Sequence, residues 1–385
     1  MNGWRELKLS DFVELGKDQF KPDQNADFNY IGLEHIEQER LRLNSVGHSS
    51  EIASNKFFFK TGDILFGKLR PYFRKVVKAK FDGVCSTDIW VVRAKKNCLQ
   101  DFVFYFLANW EFIDTANASE GGSRMPRADW NFLKDTKWRI PERDEQKAIA
   151  AVLSSLDDKI DLLHRQNQTL EAMAETLFRQ WFVEEAQEDW VGKNLLDVIE
   201  LVGGGTPKTS VAEYWDGEIP WLSGGDIASS HKSFVVSSEK TITQEGLVNS
   251  SAKLLPRFAT VISARGTVGK YALLSKPMTY SQSNYGILPQ VEGCFFFTYL
   301  LINHAVSELR SSAYGSVFDT ITTATFRDIV ITVPPHEAIQ DFEKMVSGYF
   351  MKKLHVLTQI RTLEKLRDTL LPKLMSGEVR VALDL

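Results

Sequence analysis

The residues whose types and spacing could support chemistry form a basic, aromatic stretch between Lys56 and Lys80. Eight lysines and arginines lie there against a single acid, Asp63, with Tyr72 and Phe73 among them. Cationic side chains neutralise phosphates, and arginine also hydrogen-bonds base edges, so this pattern is typical of a nucleic-acid surface. A solvated face without a ligand is the alternative, because long charged side chains are common on protein surfaces.

The second half of the chain contains a related stretch. Arg265 and Ser281 lie 195 residues after Arg70 and Ser86 (265 − 70 = 281 − 86 = 195). Recurrence of an arginine and a hydroxyl and amide segment favours nucleic acid, because duplicated half-domains suit two DNA half-sites. The candidate DNA contacts are Lys56, Lys60, Lys68, Arg70, Tyr72, Arg74, Lys75, Ser86, Thr87, Arg124, Arg127, Thr206, Lys208, Arg265, Lys270, Ser281, Gln282, Ser283, Asn284 and Tyr285.

A search for catalytic motifs yields little. The stretch 203–210 is glycine-rich, but Pro207 precedes its lysine and the spacing is not that of a phosphate-binding loop. The seven histidines form no pair or Cys/His cluster with metal-ligand spacing, and no Asn/Asp-Pro-Pro-Phe/Tyr tetrapeptide of a methyltransferase is present. We therefore expect no catalytic residue, no metal and no cofactor in this chain.

The elements that position these residues follow from two heptad patterns. Asn167 occupies an a-type position in the first, which continues to about Val183. Its apolar residues are Ile149, Leu153, Leu156, Ile160, Leu163, Leu170, Ala174, Leu177 and Trp181. Those of the second pattern are Phe342, Val346, Tyr349, Val356, Ile360, Leu363, Leu370 and Leu374. Each pattern predicts one long helix whose apolar side requires a partner helix.

The two helical segments are copies of each other. Leu170, Glu171 and Leu177 reappear 193 positions later as Leu363, Glu364 and Leu370 (363 − 170 = 193). The blocks preceding the helices also match, since Trp4 and Trp190 begin similar segments (190 − 4 = 186). This indicates an internal duplication of a globular block followed by a helix.

The linker after the first helix predicts how the helices pair. Residues 184–189 span at most about 21 Å, so the second block stays near the end of the first helix. The second helix must then return along the first to bury both apolar sides. The sequence therefore predicts an intramolecular antiparallel coiled coil with one globular block at each end.

Composition excludes several classes. Hydrophobic content of 43% and charged content of 25% are ordinary for a globular protein, and a net charge of −4 confines any basic surface to a local patch. No stretch has the length or hydropathy of a signal peptide or membrane span. The cysteines Cys85, Cys98 and Cys294 are odd in number and unpaired, which predicts reduced thiols and a cytoplasmic protein.

With these features assembled, the chain resembles the specificity subunit of type I restriction-modification systems over nearly its whole length. The resemblance rests on Pro141 to Ile149 (P-E-R-D-E-Q-K-A-I) before the first helix, on the series from Gly204-Gly205-Thr206-Pro207 to Asp226-Ile227, and on residues 265–270 (R-G-T-V-G-K). The first block departs from the pattern because it lacks the Gly-Gly-Thr-Pro series, so the two blocks should read different sequences.

The resemblance implies an α+β fold and four segments. These are target-recognition domain 1 (1–145), a helical spacer region (146–187), target-recognition domain 2 (188–337) and a second helical region (338–385). It also implies a non-catalytic subunit that reads a bipartite, asymmetric DNA site and docks partners near Glu145, Gln146 and Gln340. The partners are methyltransferase subunits, two per chain, and restriction/translocase subunits, which would carry S-adenosylmethionine, ATP and Mg²⁺.

Two other functions stay open on the sequence alone. A fused restriction or methylation enzyme with an unrecognised active site would transfer methyl groups without partners. A coiled-coil scaffold that binds only protein would leave no footprint on DNA.

Overall fold

The computed structural model describes residues 3–22, 27–118, 125–314 and 320–382. The chain forms two compact units. Unit 1 consists of Met1–Asp161 and Arg361–Leu385, and unit 2 consists of Leu162–Ile360. Each unit therefore combines one globular block with helical segments from both halves of the sequence.

Unit 1 contains eleven described strands and four short helices before the first long helix. The strands are β1 (Arg5–Lys8), β2 (Val13–Leu15), β3 (Gln19–Phe20), β4 (Asn29–Ile31), β5 (Gly47–His48), β6 (Lys56–Phe59), β7 (Ile64–Gly67), β8 (Val76–Lys78), β9 (Gly83–Cys85), β10 (Ile89–Ala94) and β11 (Lys137–Ile140). The helices are α1 (Leu9–Phe12), α2 (Gln100–Ala108), α3 (Trp110–Ala118) and α4 (Trp130–Leu133).

The core of unit 1 lies between a four-stranded sheet, in the order β2-β10-β7-β8, and helices α2 and α3. Every residue of β7 is buried, as its apolar sequence favours. A five-stranded sheet, β3-β6-β9-β4-β5, continues the domain. Strands β1 and β11 pair antiparallel, with Arg5 opposite Ile140, so the two ends of the block meet where the long helix begins.

Two long helices follow the two globular blocks. Helix α5 (Arg143–Arg179) continues into a π-helical turn at Gln180–Glu184, and helix α10 spans His336–Ser376. The helices predicted from the heptad patterns are thus confirmed, and each starts six residues before the first apolar residue of its pattern (149 − 143 = 342 − 336 = 6).

Unit 2 contains the second globular block. Its strands are β12 (Val191–Asn194), β13 (Ile199–Gly203), β14 (Trp215–Leu222), β15 (Phe234–Val235), β16 (Lys240–Ile242), β17 (Thr260–Ser263), β18 (Tyr271–Leu274), β19 (Thr279–Tyr280), β20 (Asn284–Pro289) and β21 (Val330–Val333). Its helices before α10 are α6 (Gly224–Ser229), α7 (Gln244–Val248), α8 (Phe295–Tyr314) and α9 (Thr323–Asp328).

The sheet topology of unit 2 repeats that of unit 1. The order β13-β20-β17-β18, extended by β15, matches β2-β10-β7-β8 strand for strand, and β12 pairs with β21 as β1 pairs with β11. Strands β8 and β18 begin 195 residues apart (271 − 76 = 195). The duplication predicted from the sequence is therefore confirmed at the level of fold, while the sheet β16-β14-β19 differs between the blocks.

Most of the local predictions are confirmed. Short apolar runs between glycines and prolines predict strands at 62–67, 90–92, 259–263 and 287–288, and the aromatic-rich segment 101–110 is predicted to be helical. The strands correspond to β7, β10, β17 and β20. The helix expected at 101–110 is real but ends at Ala108, because Asn109 has extended backbone and a new helix begins at Trp110. All three cysteines are buried free thiols.

The long helices pair antiparallel within each unit. In unit 1, Ile149 and Leu153 of α5 share the core with Leu374 and Leu371 of α10. In unit 2, Phe182 of the π-helical turn that continues α5 packs edge-on against Phe342 of α10, with ring centroids 4.8 Å apart. Residue numbers therefore rise along α5 as those of its partners fall along α10.

The buried face of each helix differs from the predicted heptad positions. Leu177 and Trp181 are half-buried, whereas Phe178 and Phe182 are nearly fully buried in their place. Likewise Phe350, rather than Tyr349, is buried. An α-helix has about 3.6 residues per turn, so the buried face moves away from a strict 3.5-residue repeat over several turns.

Buried charges, not apolar residues alone, line the helix pair. In unit 2, Lys353 of α10 forms an ion pair with Glu171 of α5, and both side chains are buried. Tyr299 of α8 donates its hydroxyl to the same carboxylate at 2.7 Å. In unit 1, Arg367 of α10 lies 2.8 Å from Asp157 of α5. Each unit thus has an ion pair between α5 and α10; both partners are buried in unit 2, whereas in unit 1 the arginine is buried and the carboxylate half-buried.

A carboxylate of α10 caps the start of α8. The backbone amides of Phe296 and Phe297 donate to Glu343 at 3.1 and 2.7 Å. Burial nevertheless raises the pKa of Glu343 to about 7, against the opposing effect of these amides. In unit 1 a neutral side chain caps the corresponding helix, since Gln146 of α5 accepts a hydrogen bond from the amide of Leu99 directly before α2.

We predict that Glu343→Gln stabilises unit 2 at pH 8 and has little effect at pH 4.5. Because the folded state holds its proton to about pH 7 and the unfolded state only to about 4.5, the native carboxylate costs stability as the pH rises between these values. The gain at pH 8 should be about 1–3 kcal/mol, measured by chemical denaturation. Glu337→Gln, which removes an exposed acid from the same helix, is the control. Equal stability of Glu343→Gln and the parent protein at pH 8 would contradict the prediction.

Candidate nucleic-acid interface

Three loops meet at one edge of unit 1 and hold several of the candidate DNA contacts together. The amide of Lys68 donates to Asp88 at 2.9 Å, and the amide of Ala128 donates to Lys68 at 2.8 Å. The amide of Arg70 donates to Pro126 at 2.6 Å. We call Lys68, Arg70, Ser86, Thr87 and Arg127 the first polar surface.

The side chains of the first polar surface differ in accessibility. Thr87 and Arg127 are exposed, while Lys68, Arg70 and Ser86 are half-buried. Arg127 lies 3.3 Å from the carboxylate of Asp88, which offsets part of the local positive charge. Arg70 has a left-handed backbone (φ 53°), a strained conformation for a residue with a side chain. Contacts from other segments of the chain must therefore hold the backbone of this loop in place.

The other basic candidates of unit 1 are engaged elsewhere. Lys56 is buried and donates to Ser54, and burial lowers the pKa of its ammonium. Lys75 donates to the carbonyl of Leu33, and exposed Lys60 pairs with Asp82 at 2.9 Å. Tyr72 is exposed, and Arg124 lies outside the described residues.

Arg74 is the largest departure from expectation. Its side chain is only 1% exposed and donates to the carbonyl of Ala108 at 2.7 Å and to Asp368 of α10 at 3.1 Å. Burial lowers the pKa of its guanidinium, although Asp368 opposes that effect. Its basic character in the sequence thus belongs to the interior, and the DNA surface proposed below leaves it out.

Unit 2 builds the corresponding loops on the same backbone hydrogen bonds. The amide of Ala264 donates to Ser283 at 2.9 Å, and the amide of Ile321 donates to Ala264 at 3.1 Å. These repeat the bonds Lys68 to Asp88 and Ala128 to Lys68. The amide of Ser263 donates to the carbonyl of Lys270, as the amide of Gly67 donates to the carbonyl of Lys75.

The matching hydrogen bonds refine the offset between the two arginines. The loop runs from residue 67 to 75 in unit 1 and from 263 to 270 in unit 2, so it is one residue longer in unit 1. Arg70 is the third residue after Gly67, and Arg265 is the second after Ser263. The two arginines occupy the same loop but not the same position in it.

The exposed side chains of unit 2 come from three loops. Thr206 donates its hydroxyl to the side-chain oxygen of Gln282, which joins the loop after β13 to the loop before β20. Arg265, Gln282 and Lys208 are exposed, and Ser283 is half-buried. We call Thr206, Lys208, Arg265, Gln282 and Ser283 the second polar surface.

The glycines of residues 203–207 permit this close approach. The amide of Gly205 donates to Tyr280 at 2.9 Å, and its carbonyl accepts from the Trp221 indole at 2.9 Å. A Cβ at Gly205 would lie 2.3 Å from the backbone of Ser251. The Gly-Gly-Thr-Pro series thus forms a packed turn that presents Thr206.

The remaining candidates of unit 2 support the loops from beneath. Ser281 and Asn284 are buried, and the Asn284 amide donates to the Ser281 hydroxyl at 2.8 Å. Tyr285 packs edge-on against Phe326, and Lys270 is half-buried. Sequence reasoning missed Thr267, whose hydroxyl donates to Ser263 at 2.8 Å beneath Arg265. Its place in the 265–270 series was the available signal.

The residues expected to dock partners differ in availability. Glu145 accepts from the Trp4 indole at 3.0 Å and pairs with Arg380 at 3.3 Å. Gln146 is 1% exposed and serves the capping described above. Gln340 is exposed. Docking at Glu145 and Gln146 remains a prediction, and their observed bonds are internal to unit 1.

Over the described ranges, no three His, Cys, Asp or Glu side chains are grouped as metal ligands. Within the same residues, none of the helices has the length and hydropathy needed to span a membrane. The arrangement presents hydrogen-bonding and cationic side chains on loops held by backbone bonds, which suits recognition of a ligand surface.

Comparison with known proteins identifies the family. Residues 1–172 and residues 187–364 each match the family model of the type I restriction modification DNA specificity domain. The chain belongs to this family. Its two matches coincide with the two copies of the duplication, and as a specificity subunit it is a non-catalytic component, with catalysis in other subunits of the type I enzyme.

Several specificity subunits are similar to the chain. The HindI specificity subunit of Haemophilus influenzae is 23% identical over 98% of this chain and all of that protein. The MjaIX specificity subunit of Methanocaldococcus jannaschii is 25% identical over 74% of this chain and 71% of that protein. The crystal structure of a type I restriction-modification S subunit from M. genitalium shares the fold, with a TM-score of 0.58 at 14% identity over 97% and 96% of the two chains.

We predict that Gly205→Ala disrupts the second polar surface of this specificity subunit. The added Cβ would collide with the backbone of Ser251, which must shift and displace Thr206. The free energy of unfolding of unit 2 should fall by about 1–3 kcal/mol, measured by denaturant titration. Gly203→Ala is the matched control, because a Cβ there meets open space. A Gly205→Ala variant as stable as Gly203→Ala would show that the turn is not tightly packed.

Proposed function

We propose that this specificity subunit reads a bipartite, asymmetric DNA site, with the first polar surface on one half-site and the second on the other. The observation that supports the proposal best is the repeated backbone scaffold. The same hydrogen bonds hold the loops in both units, yet the side chains on them differ, as Lys68 and Thr87 correspond to Ala264 and Gln282. A shared scaffold with different side chains suits two different base sequences.

The side-chain chemistry fits base reading in the major groove. Arginine donates two hydrogen bonds to guanine, glutamine pairs with adenine, and hydroxyl groups bond to several bases. Arg70, Arg127, Arg265 and Gln282 are the arginine and glutamine side chains on the two surfaces. The hydroxyl groups on the two surfaces belong to Ser86, Thr87, Thr206 and Ser283. Lys68 and Lys208 supply charge for phosphates, which a chain of net charge −4 must concentrate locally.

We also propose that the long helices carry the docking sites for methyltransferase subunits, two per chain, and for restriction subunits. Large apolar side chains are exposed on both helices, including Met173 on α5 and Leu366 on α10, at 43% and 44%. These two occupy the same position of the repeat (366 − 173 = 193). Two equivalent apolar sites favour two copies of one partner. S-adenosylmethionine, ATP and Mg²⁺ would be held by those partners.

Selection from a random duplex library tests the proposal directly. The chain, bound to its methyltransferase subunits, should enrich two short motifs separated by a spacer of fixed length and free sequence. Recovery of a single motif, or of no motif, would contradict it.

We predict that Arg265→Ala weakens reading of one half-site and Arg70→Ala that of the other. Each loss should be about 1–3 kcal/mol for the preferred base if the arginine contacts a base edge. Binding titrations on duplexes with one altered half-site measure this loss. The two variants remove the same charge and serve as controls for each other. A uniform loss over all sequences would instead assign both arginines to phosphates.

A further inference from the structure

We call residues 67–75 and 263–270 the recognition loops of units 1 and 2. Arg74 fixes the recognition loop of unit 1 to helix α10. Both terminal nitrogens of the guanidinium donate hydrogen bonds to Oδ1 of Asp368 at 3.1 Å, and its Nε donates to the carbonyl of Ala108. It also lies over the Trp110 ring at 5.2 Å. Arg74 is the penultimate residue of the loop 67–75, so this contact sets where the loop ends.

Asp368 belongs to a network of balanced charge in which both arginines are buried and both carboxylates are half-buried. Arg367 also donates to Asp368, at 3.2 Å, and pairs with Asp157 of α5 at 2.8 Å. The Tyr105 hydroxyl donates to Asp157 at 2.7 Å. Two guanidinium groups and two carboxylates thus share their hydrogen bonds, and removing one carboxylate leaves a buried arginine short of a partner.

Unit 2 makes an equivalent connection with different residues. Tyr271 follows Lys270 at the end of the recognition loop, and its hydroxyl donates to Asn303 of α8. The Asn303 amide donates to Glu175 of α5 at 2.7 Å, and Lys232 donates to the same carboxylate at 2.9 Å. The first residue of the strand that follows the recognition loop is therefore linked to a carboxylate on a long helix here.

The two carboxylates are the same position of the internal repeat. Asp368 lies 193 residues after Glu175 (368 − 175 = 193), the offset of the helical copies. A direct guanidinium contact in one unit and a tyrosine–asparagine relay in the other reach this position. Both units therefore connect the loop, or the residue directly after it, to the same position of the helical repeat.

We propose that Asp368 and Glu175 are positioning residues for DNA recognition, each fixing the recognition loop of its own unit on a long helix. This inference rests on the proposed DNA-reading function. In unit 1 the loop contains two residues with left-handed backbone, Arg70 (φ 53°) and Arg74 (φ 47°). Such conformations persist only where surrounding contacts hold them, and Asp368 provides that hold through Arg74. Loss of the carboxylate makes the loop more mobile, so that Arg70 no longer has a single defined position.

The test uses Asp368→Asn and Glu175→Gln in the full chain, bound to its methyltransferase subunits. Both changes keep the size of the side chain and remove its charge. Selection from a random duplex library, followed by titration on single half-site changes, reads each half-site separately. Asp368→Asn should reduce discrimination at the half-site lost in Arg70→Ala by about tenfold, with the other half-site unchanged. Glu175→Gln should give the reverse pattern.

Two further variants separate positioning from general stability. Tyr271→Phe removes only the hydroxyl of the unit 2 relay and should reduce discrimination at the half-site lost in Arg265→Ala. This variant tests the unit 2 connection if Glu175→Gln fails to fold. Lys137→Ala removes an exposed ion pair with Glu6 and should leave both half-sites intact.

Unchanged discrimination in Asp368→Asn and in Tyr271→Phe would overturn the inference. Equal loss at both half-sites would overturn it too, because it would indicate general destabilisation. Failure of the unsubstituted complex to select a bipartite motif would instead contradict the proposed function, so the two failures are distinguishable.

Discussion

The structure depends on charge pairs between the long helices. Glu171 and Lys353 in unit 2 pair across α5 and α10 with both side chains buried, and in unit 1 the buried Arg367 pairs with the half-buried Asp157. Removing one member of such a pair typically costs about 3–5 kcal/mol, because the other charge stays buried without a counter-ion. Apolar residues would allow the helices to slide by a turn, whereas each of these pairs requires one register. The globular blocks then pack on helices whose alignment is already set.

Because the two long helices pair, each unit contains residues from both halves of the sequence. Unit 1 contains the first block and the start of α5, but it is completed by Arg361–Leu385 from the end of the chain. Its recognition loop reaches that distant segment through Arg74 and Asp368. Duplication therefore produced two blocks that share their supporting helices. Divergence has changed the side chains on the loops while the backbone hydrogen bonds beneath them, such as Ala264 to Ser283, remain.

Periodicity and repetition made much of the fold predictable. The heptad patterns predicted α5 and α10, and the offsets of 186 and 193 predicted matching blocks, because these signals are local or come from comparing the chain with itself. Asn167 is buried on α5, as its a-type position indicates. The charged members of the buried face were missed, since Lys353 and Arg367 become interior residues only through partners far away in the sequence.

The candidate site was predictable by region but not by residue. The stretch 56–80 and the segment 281–285 do supply the loops of the two polar surfaces. Within them, Arg74 and Arg70 look alike in sequence, yet one is anchored in the interior and the other faces the loop surface. The burial of Arg74 depends on its contacts with Asp368 and Ala108, which no local pattern connects to Arg74. Gln146 was predicted to dock a partner subunit because no local pattern shows its internal contact. Its hydrogen bond from the amide of Leu99 becomes evident only in three dimensions.

The bipartite reading proposed above requires a spacer of fixed length, and we propose that the paired long helices set that length. The most direct test of this proposal inserts seven residues into both helices, after Arg165 in α5 and after Thr358 in α10, positions that face each other when the pairing is extended from Glu171 and Lys353. One heptad keeps the buried face aligned and adds about 10 Å of helix, the length of about three base pairs of DNA. Library selection with the inserted chain should recover the same two half-sites separated by a spacer about three base pairs longer. Recovery of both half-sites with the original spacer would contradict the account.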